Sequence, residues 1–286
     1  MVQPARLHWM SPSAATEPSL IPRQIWQVLL PMPDSVHATG IWEAHDHSWL
    51  HMNPDYTYTR IGTEGALAFI DEHFPGRSDI LETFRDMQNP GMKSDFLRYL
   101  VLLADGGIYT DTDTTAVKPI NKWVPQQYRD RAKILIGMEW DIRDEEDQKW
   151  FVYPIQFAQW TIAATPRHPI MEDLVNSVLR SIQLLTAKYN TTIDKLDLSN
   201  QELVDTTGPT AWTSAVWRHM QVQEPGLTDM RNLSFLQVPK LYGDVLLFPI
   251  NSFGSGQAHS GSSTSWWLPK GALVKHHWQG SWRTHE

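Results

Sequence analysis

Apolar residues along the chain switch between a period of two and a period near 3.6, and the switches outline its elements. Pro22-Arg23-Gln24-Ile25-Trp26-Gln27-Val28 predicts a first strand, which Pro31 and Pro33 end. Ile41 to Leu50 predicts a helix with a Trp-rich face, Asp55 to Thr59 alternates as a second strand, and Gly65 to His73 and Ile80 to Met87 read as helices. Ser94 to Ala104 is the clearest helix. Phe96, Leu97, Leu100 and Leu103 recur at helical spacing, Ser94 is a suitable N-cap, Asp95 falls in the first turn and Asp105-Gly106-Gly107 is a stop. A short strand follows at Ile108 to Thr110, and another at Ile134 to Met138. Residues 141–149 read as an acidic loop. Ile170 to Lys188 and Pro209 to Met220 read as helices, and Val245 to Phe248 as a late strand. The Gly- and Ser-rich stretch 251–265 reads as a mobile loop able to act as a lid. Residues 1–19 read as a disordered or loosely packed lead-in, and 20–286 show no repeat or linker that would divide them, so they are expected to form one domain. Alternating strands and helices point to an α/β fold with a mostly parallel central sheet flanked by helices.

Composition narrows the function. At 286 residues, 41% hydrophobic and 20% charged, the chain can bury a core without staples. It has no cysteine, which excludes disulfides, thiolate metal sites and cysteine nucleophiles. A formal net charge of −8 argues against a nucleic-acid surface. The 14 tryptophans are numerous, and flat aromatic faces suit sugar rings as well as cores. No apolar run approaches the roughly 20 residues that span a bilayer, and Met1 to Ser19 lacks a signal-peptide core. The chain therefore reads as cytosolic or as a luminal piece. The sequons Asn190-Thr191-Thr192 and Asn232-Leu233-Ser234 are compatible with the second.

Asp111-Thr112-Asp113 follows directly on the strand at Ile108 to Thr110. Such triplets are common in solvated turns, but α/β sheets bind ligands beyond the carboxyl ends of their strands. Extended backbone would turn both carboxylates to one side. Two oxygen ligands without thiolates suit Mg²⁺ or Mn²⁺, which can neutralise a departing diphosphate.

Three stretches strengthen this reading. Ser94-Asp95-Phe96-Leu97-Arg98-Tyr99, Ala104-Asp105-Gly106-Gly107-Ile108-Tyr109 and Asp111-Thr112-Asp113 together resemble the central signature of the family 32 glycosyltransferases. Ile21 to Gln27 looks like that family's first strand, Thr207-Gly208-Pro209 like its later turn, and His276-His277-Trp278-Gln279-Gly280-Ser281-Trp282 like the close of its mannosyltransferase branch. The resemblance implies a GT-A-type nucleotide-sugar-binding fold over 20–286 and a Mn²⁺-dependent transfer (Mg²⁺ possible) that retains the anomeric configuration. It implies GDP-mannose as donor, an N-linked oligosaccharide core as acceptor, an α-1,6 linkage and residence in the Golgi lumen, with any membrane attachment through an anchor absent from this chain. The alternatives are a family member using a UDP-sugar or a lipid acceptor, and a catalytically silent sugar- or nucleotide-binding domain. By the same resemblance Asp113 holds the metal, Asp111 meets the metal or the ribose, and Asp95 and Arg98, three apart on one helix face, meet the donor sugar. Gln27, Tyr109 and Asp111 also lie at the donor. One of the two adjacent histidines, taken here as His277, is the third metal ligand, and Ser281 and Trp282 offer donors to the diphosphate. Glu139, Asp141 and Asp205 remain as spare acids, none assigned as a nucleophile, so front-side attack is the expected route to retention.

Overall fold

Among the described residues there are nine strands: β1 (Gln24–Val28), β2 (Thr57–Ile61), β3 (Gly107–Thr110), β4 (Thr114–Ala116), β5 (Ile134–Asp141), β6 (Ile155–Ala164), β7 (Lys240–Tyr242), β8 (Val245–Phe248) and β9 (Val274–His276). The computed structural model describes residues 20–30, 47–144, 151–257, 262–264 and 267–279. Seven strands form one sheet in the order β2-β1-β3-β6-β5-β8-β7, while β4 and β9 make a separate antiparallel ribbon. Strand β1 is parallel to β2 and β3, and β5 is parallel to β8. Strand β6 opposes both β3 and β5, and β7 opposes β8. Strands β1, β2, β3, β5 and β8 thus run one way and only β6 and β7 the other. This is the mostly parallel α/β sheet expected of a GT-A-type fold.

The helices are α1 (residues 47–52), α2 (Thr63–His73), α3 (Ser78–Asp86), α4 (Pro90–Ala104), α5 (Pro169–Tyr189), α6 (Asn200–Thr206), α7 (Pro209–Gln223) and α8 (Ile250–Phe253). Successive strand residues point to opposite faces, and the two cores divide accordingly. Trp26, Tyr109, Ile134, Ile136 and Ile162 enter the larger core with residues of α2 to α5 and α7. Ile25, Ile108, Leu135, Ala163 and Leu246 enter the smaller one, closed by Trp49 of α1, Phe253 of α8 and Val274 of β9.

Helix α4 begins earlier than its apolar spacing suggests. Asn89 is its N-cap, accepting from the Met92 N–H at 3.1 Å, and Pro90 takes the first helical position. An Asn-Pro pair is the stronger start signal, because the cap satisfies an orphan N–H and proline has none to satisfy. Ser94 is therefore not the cap, and Asp95 lies in the second turn, where the helix dipole gives it little. Gly106 and Gly107 then turn the chain into β3 with φ of +66° and +99°. A Cβ on Gly107 would stand 2.5 Å from the Gln24 carbonyl oxygen of β1. Only glycine allows that approach, and it sets where β3 delivers Asp111.

The chief element missing from the sequence reading is β6. It is buried along its whole length, so its pattern has no solvent face to reveal it. The stretch 251–265 was expected to be a mobile loop. Its described part is instead packed. Residues 250–253 form α8, Ser255 and Gln257 are buried, and Gly256 N–H donates to the Ser263 carbonyl at 2.9 Å. Residues 1–19, 41–46 of the expected first helix and 145–150 of the acidic loop lie outside the described residues.

Candidate metal and donor site

Strand β3 ends at Thr110, and the next residues are fixed by backbone and hydroxyl contacts from three sides. Asp111 N–H donates to the Trp160 carbonyl of β6 at 2.8 Å. Its own carbonyl accepts from Gln27 Nε2 at 3.1 Å and Thr114 Oγ1 at 2.6 Å. Beneath the turn, Thr110 Oγ1 contacts the Thr114 and Thr161 hydroxyls at 2.7 and 2.9 Å. The Asp-X-Asp turn is thus a built feature with its own buried supports, unlike a solvated acidic loop.

Tyr109 and Asp111 are two apart on a strand and share a face, towards α4. Tyr109 O–H donates to Asp111 Oδ1 at 2.6 Å. Arg98 lies over the Tyr109 ring at 4.7 Å and reaches Asp95 Oδ1 at 2.9 Å and Asp111 Oδ1 at 3.4 Å. Its Nη1 donates to the Gln159 carbonyl at 3.0 Å. Arg98 is a nearly buried bridge between two carboxylates, with its Nε–H unpaired among the described residues. Asp95 also accepts from Thr207 Oγ1 at 3.1 Å, which ties in the Thr207-Gly208-Pro209 turn. Burial pushes the Asp95 carboxyl up to about 6, with Arg98 opposing the shift and Asp111 adding to it. Asp111 is likewise raised by burial, against the pull of Arg98.

Asp113 is gripped by the end of β9. His276 Nε2 lies 3.1 Å from its Oδ1, Gln279 N–H donates to its Oδ2 at 3.0 Å, and His277 N–H donates to its carbonyl at 2.9 Å. Burial alone would raise this carboxyl. The His276 and backbone hydrogen bonds outweigh it and hold Asp113 below the usual carboxylate range.

One ligand atom from each of Asp111, Asp113 and His276 falls within 4.8 Å of the others. Two carboxylates and an imidazole, with no thiolate, form a donor set that fits Mn²⁺ or Mg²⁺. The buried Nδ1 of His276 has no hydrogen-bond partner among the described residues. The sequence reading placed His277 here, and the structure corrects it. Thr114 pairs with His276 across the β4–β9 ribbon, which turns His276 to Asp113, while the next residue points away and its Nε2 meets Thr115 Oγ1 at 2.8 Å. Gln27 is corrected too. Fully buried, it accepts from the Tyr58 hydroxyl and donates to the Asp111 backbone, so it supports the site from below rather than facing a donor. Tyr109 is buried at the site with its hydroxyl on Asp111. Ser281 and Trp282 lie outside the described residues.

Of the spare acids, Asp141 accepts from the Arg143 and Phe235 backbone N–H groups, and Asp205 is exposed on α6 with Gln201 on its Oδ1. Glu139 is buried and accepts from Gln156 at 2.8 Å. Trp160 and Gln279 are site residues to which the sequence assigns no role, and His276 is the other of the two candidate histidines. Trp160 sits in the unread strand β6. His276 differs from its neighbour only by strand parity.

A second group, His168, His219 and Asp244, also clusters within 4.8 Å. His168 Nδ1 accepts from the Ile170 N–H at 3.3 Å as the N-cap of α5, so its proton resides on Nε2, facing Asp244 at 3.5 Å. Asp244 also contacts His219 Nε2 at 2.8 Å, and the three make a brace between α5, α7 and β8.

Residues 42–130 match the family described as glycosyltransferase sugar-binding region containing DXD motif, and this span holds Asp95, Arg98, Asp111 and Asp113. The chain is 35% identical over 268 residues to an initiation-specific alpha-1,6-mannosyltransferase of Schizosaccharomyces pombe, covering 92% of this chain and 64% of that protein. It is 27% identical to the protein of the same name from Candida albicans, covering 92% of this chain and 72% of that one. Among solved structures, the ligand-free glycosyltransferase domain from the YGT toxin aligns at 10% identity and a TM-score of 0.48, over 73% of this chain and 80% of that one.

Proposed function

Because residues 42–130 carry the DXD-containing sugar-binding region of glycosyltransferases, we propose that this chain transfers mannose from GDP-mannose to an N-linked oligosaccharide core, forming an α-1,6 linkage with retention, in the Golgi lumen. The observation that carries the reading is the meeting of Asp111 and Asp113 with His276 past the end of β3, beside the Arg98-bridged Asp95. The similarity to proteins named alpha-1,6-mannosyltransferases supports the sugar and the linkage. No helix among the described residues is long and apolar enough to cross a membrane, which fits a catalytic portion held at a membrane by other means.

A divalent cation bound by Asp111, Asp113 and His276 would neutralise charge on the departing diphosphate. The protein's own groups do the rest. Asp95, with its side chain 19% accessible, can accept from a sugar hydroxyl. Arg98 locks Asp95 and Asp111 in one arrangement, so the sugar and the diphosphate are held in fixed relation. Asp141 is taken up by backbone N–H groups, Asp205 is exposed on α6, and Glu139 pairs with Gln156. This supports front-side attack over a carboxylate nucleophile.

The test is a screen of nucleotide sugars with Mn²⁺, reading released nucleotide with and without an oligomannose acceptor. Turnover of GDP-mannose, lost in Asp113→Ala, is expected. Turnover of UDP-sugars alone would move the assignment to another donor class, and no release from any donor with any divalent metal would refute it.

A further inference from the structure

The imidazole of His276 meets Asp113 through Nε2, and on its other sides it is packed by two tryptophans. A ligating histidine ordinarily donates its second ring N–H to a carboxylate or carbonyl, which fixes the ring plane. Here the buried Nδ1 has no partner among the described residues. Instead the ring stacks on Trp160, with centroids 4.9 Å apart and planes at 20°, and meets the Trp278 ring edge-on at 3.9 Å and 84°. The indoles also pack on each other at 4.7 Å and 77°. Pairing of β9 with β4 sets the His276 backbone but leaves rotation about its Cβ–Cγ bond, a broad torsion, to be decided by surroundings. Stacking on a flat indole selects one plane, the one that aims Nε2 at Asp113.

Both tryptophans are tied to the rest of the site. Trp160 is 6% exposed, and its carbonyl accepts the Asp111 N–H. One residue of β6 therefore fixes the backbone of one carboxylate and the ring plane of the histidine. Trp278 has φ of +54°, a conformation a bulky side chain adopts only when surroundings enforce it. The same turn brings Gln279 N–H to Asp113 Oδ2.

We infer that Trp160 and Trp278 are positioning residues that orient His276 for a divalent cation without touching it. The inference rests on reading Asp111, Asp113 and His276 as a metal site. The test is Mn²⁺ binding to the full chain, followed by electron paramagnetic resonance of the free ion, with near-ultraviolet circular dichroism to verify folding. Trp160→Leu is expected to weaken Mn²⁺ binding about tenfold or more, while Trp160→Phe, which can still stack, keeps most of it. Trp278→Gly removes the second ring while favouring the same backbone turn, and is expected to weaken binding as well. It decides the matter should Trp160→Leu fail to fold. Folded Trp160→Leu or Trp278→Gly protein binding Mn²⁺ as tightly as wild type would overturn the inference, as would a Trp160→Phe loss equal to that of leucine. Wild type that binds no Mn²⁺ would instead overturn the metal-site reading itself.

Discussion

Arg98→Met offers a test of the site's electrostatics that needs no substrate. Methionine matches the length and apolar stem of arginine but removes the charge that separates two carboxylates. Arg98 lies 2.9 Å from Asp95 and 3.4 Å from Asp111, with its side chain 7% exposed. Removing one member of a buried charge network leaves the others uncompensated and costs about 3–5 kcal/mol. In a chain of this size each kcal/mol shifts Tm by roughly 2–4 °C, so a fall of roughly 6–20 °C at pH 8 is expected. The deficit should shrink in acid. Asp95 is pushed to about 6 by burial even with Arg98 beside it, and losing Arg98 can only raise both carboxyls further. A folded state that holds protons more tightly than the unfolded chain gains stability as the pH falls through that range. Thermal melts of both proteins at pH 8 and pH 5 read this directly. Equal Tm values at pH 8, or the same deficit at both pH values, would show that Arg98 does not serve as the charge bridge.

Two further outcomes follow from the geometry. Asp95→Asn should abolish one component of the wild-type pH dependence. With the folded carboxyl at about 6 and the unfolded near 3.9, wild-type stability declines as pH rises between those values, and melts of the variant across that window should be flatter. Gly107→Ala places a Cβ against the Gln24 carbonyl at a φ of +99°, a strain of roughly 1–3 kcal/mol before any clash is relieved. A lower Tm, together with weakened amide-exchange protection at the β1–β3 pairing, is the expected reading.

The fold was legible where one face of an element meets solvent. The stripes that marked residues 65–73, 80–87 and 170–188 survive in α2, α3 and α5 with ends shifted by a few residues. Strand β6 was not legible, because burial on both sides erases alternation and its Gln156, Gln159 and Thr161 serve internal hydrogen bonds. The site divided along similar lines. Asp111 and Asp113 could be placed from the strand before them, while Asp95 and Arg98 came from the family resemblance, with their spacing of three on a helix in support. The choice between His276 and His277 depends on the register of β4 with β9, a long-range pairing of three residues that no local pattern encodes. Gln27 carries the same lesson. Its proximity to the site was visible, but its task of holding the Asp111 carbonyl depends on how β1 lies beside β3.

The most direct test of the assembled site is a crystal of the chain grown with Mn²⁺ and GDP, with the ion located by its anomalous scattering. The expected peak lies within roughly 2.5 Å of ligand atoms from Asp111, Asp113 and His276, with His277 still turned to Thr115. A peak coordinated by His277, a peak at His168, His219 and Asp244 instead, or no peak beside the aspartate pair would contradict the account.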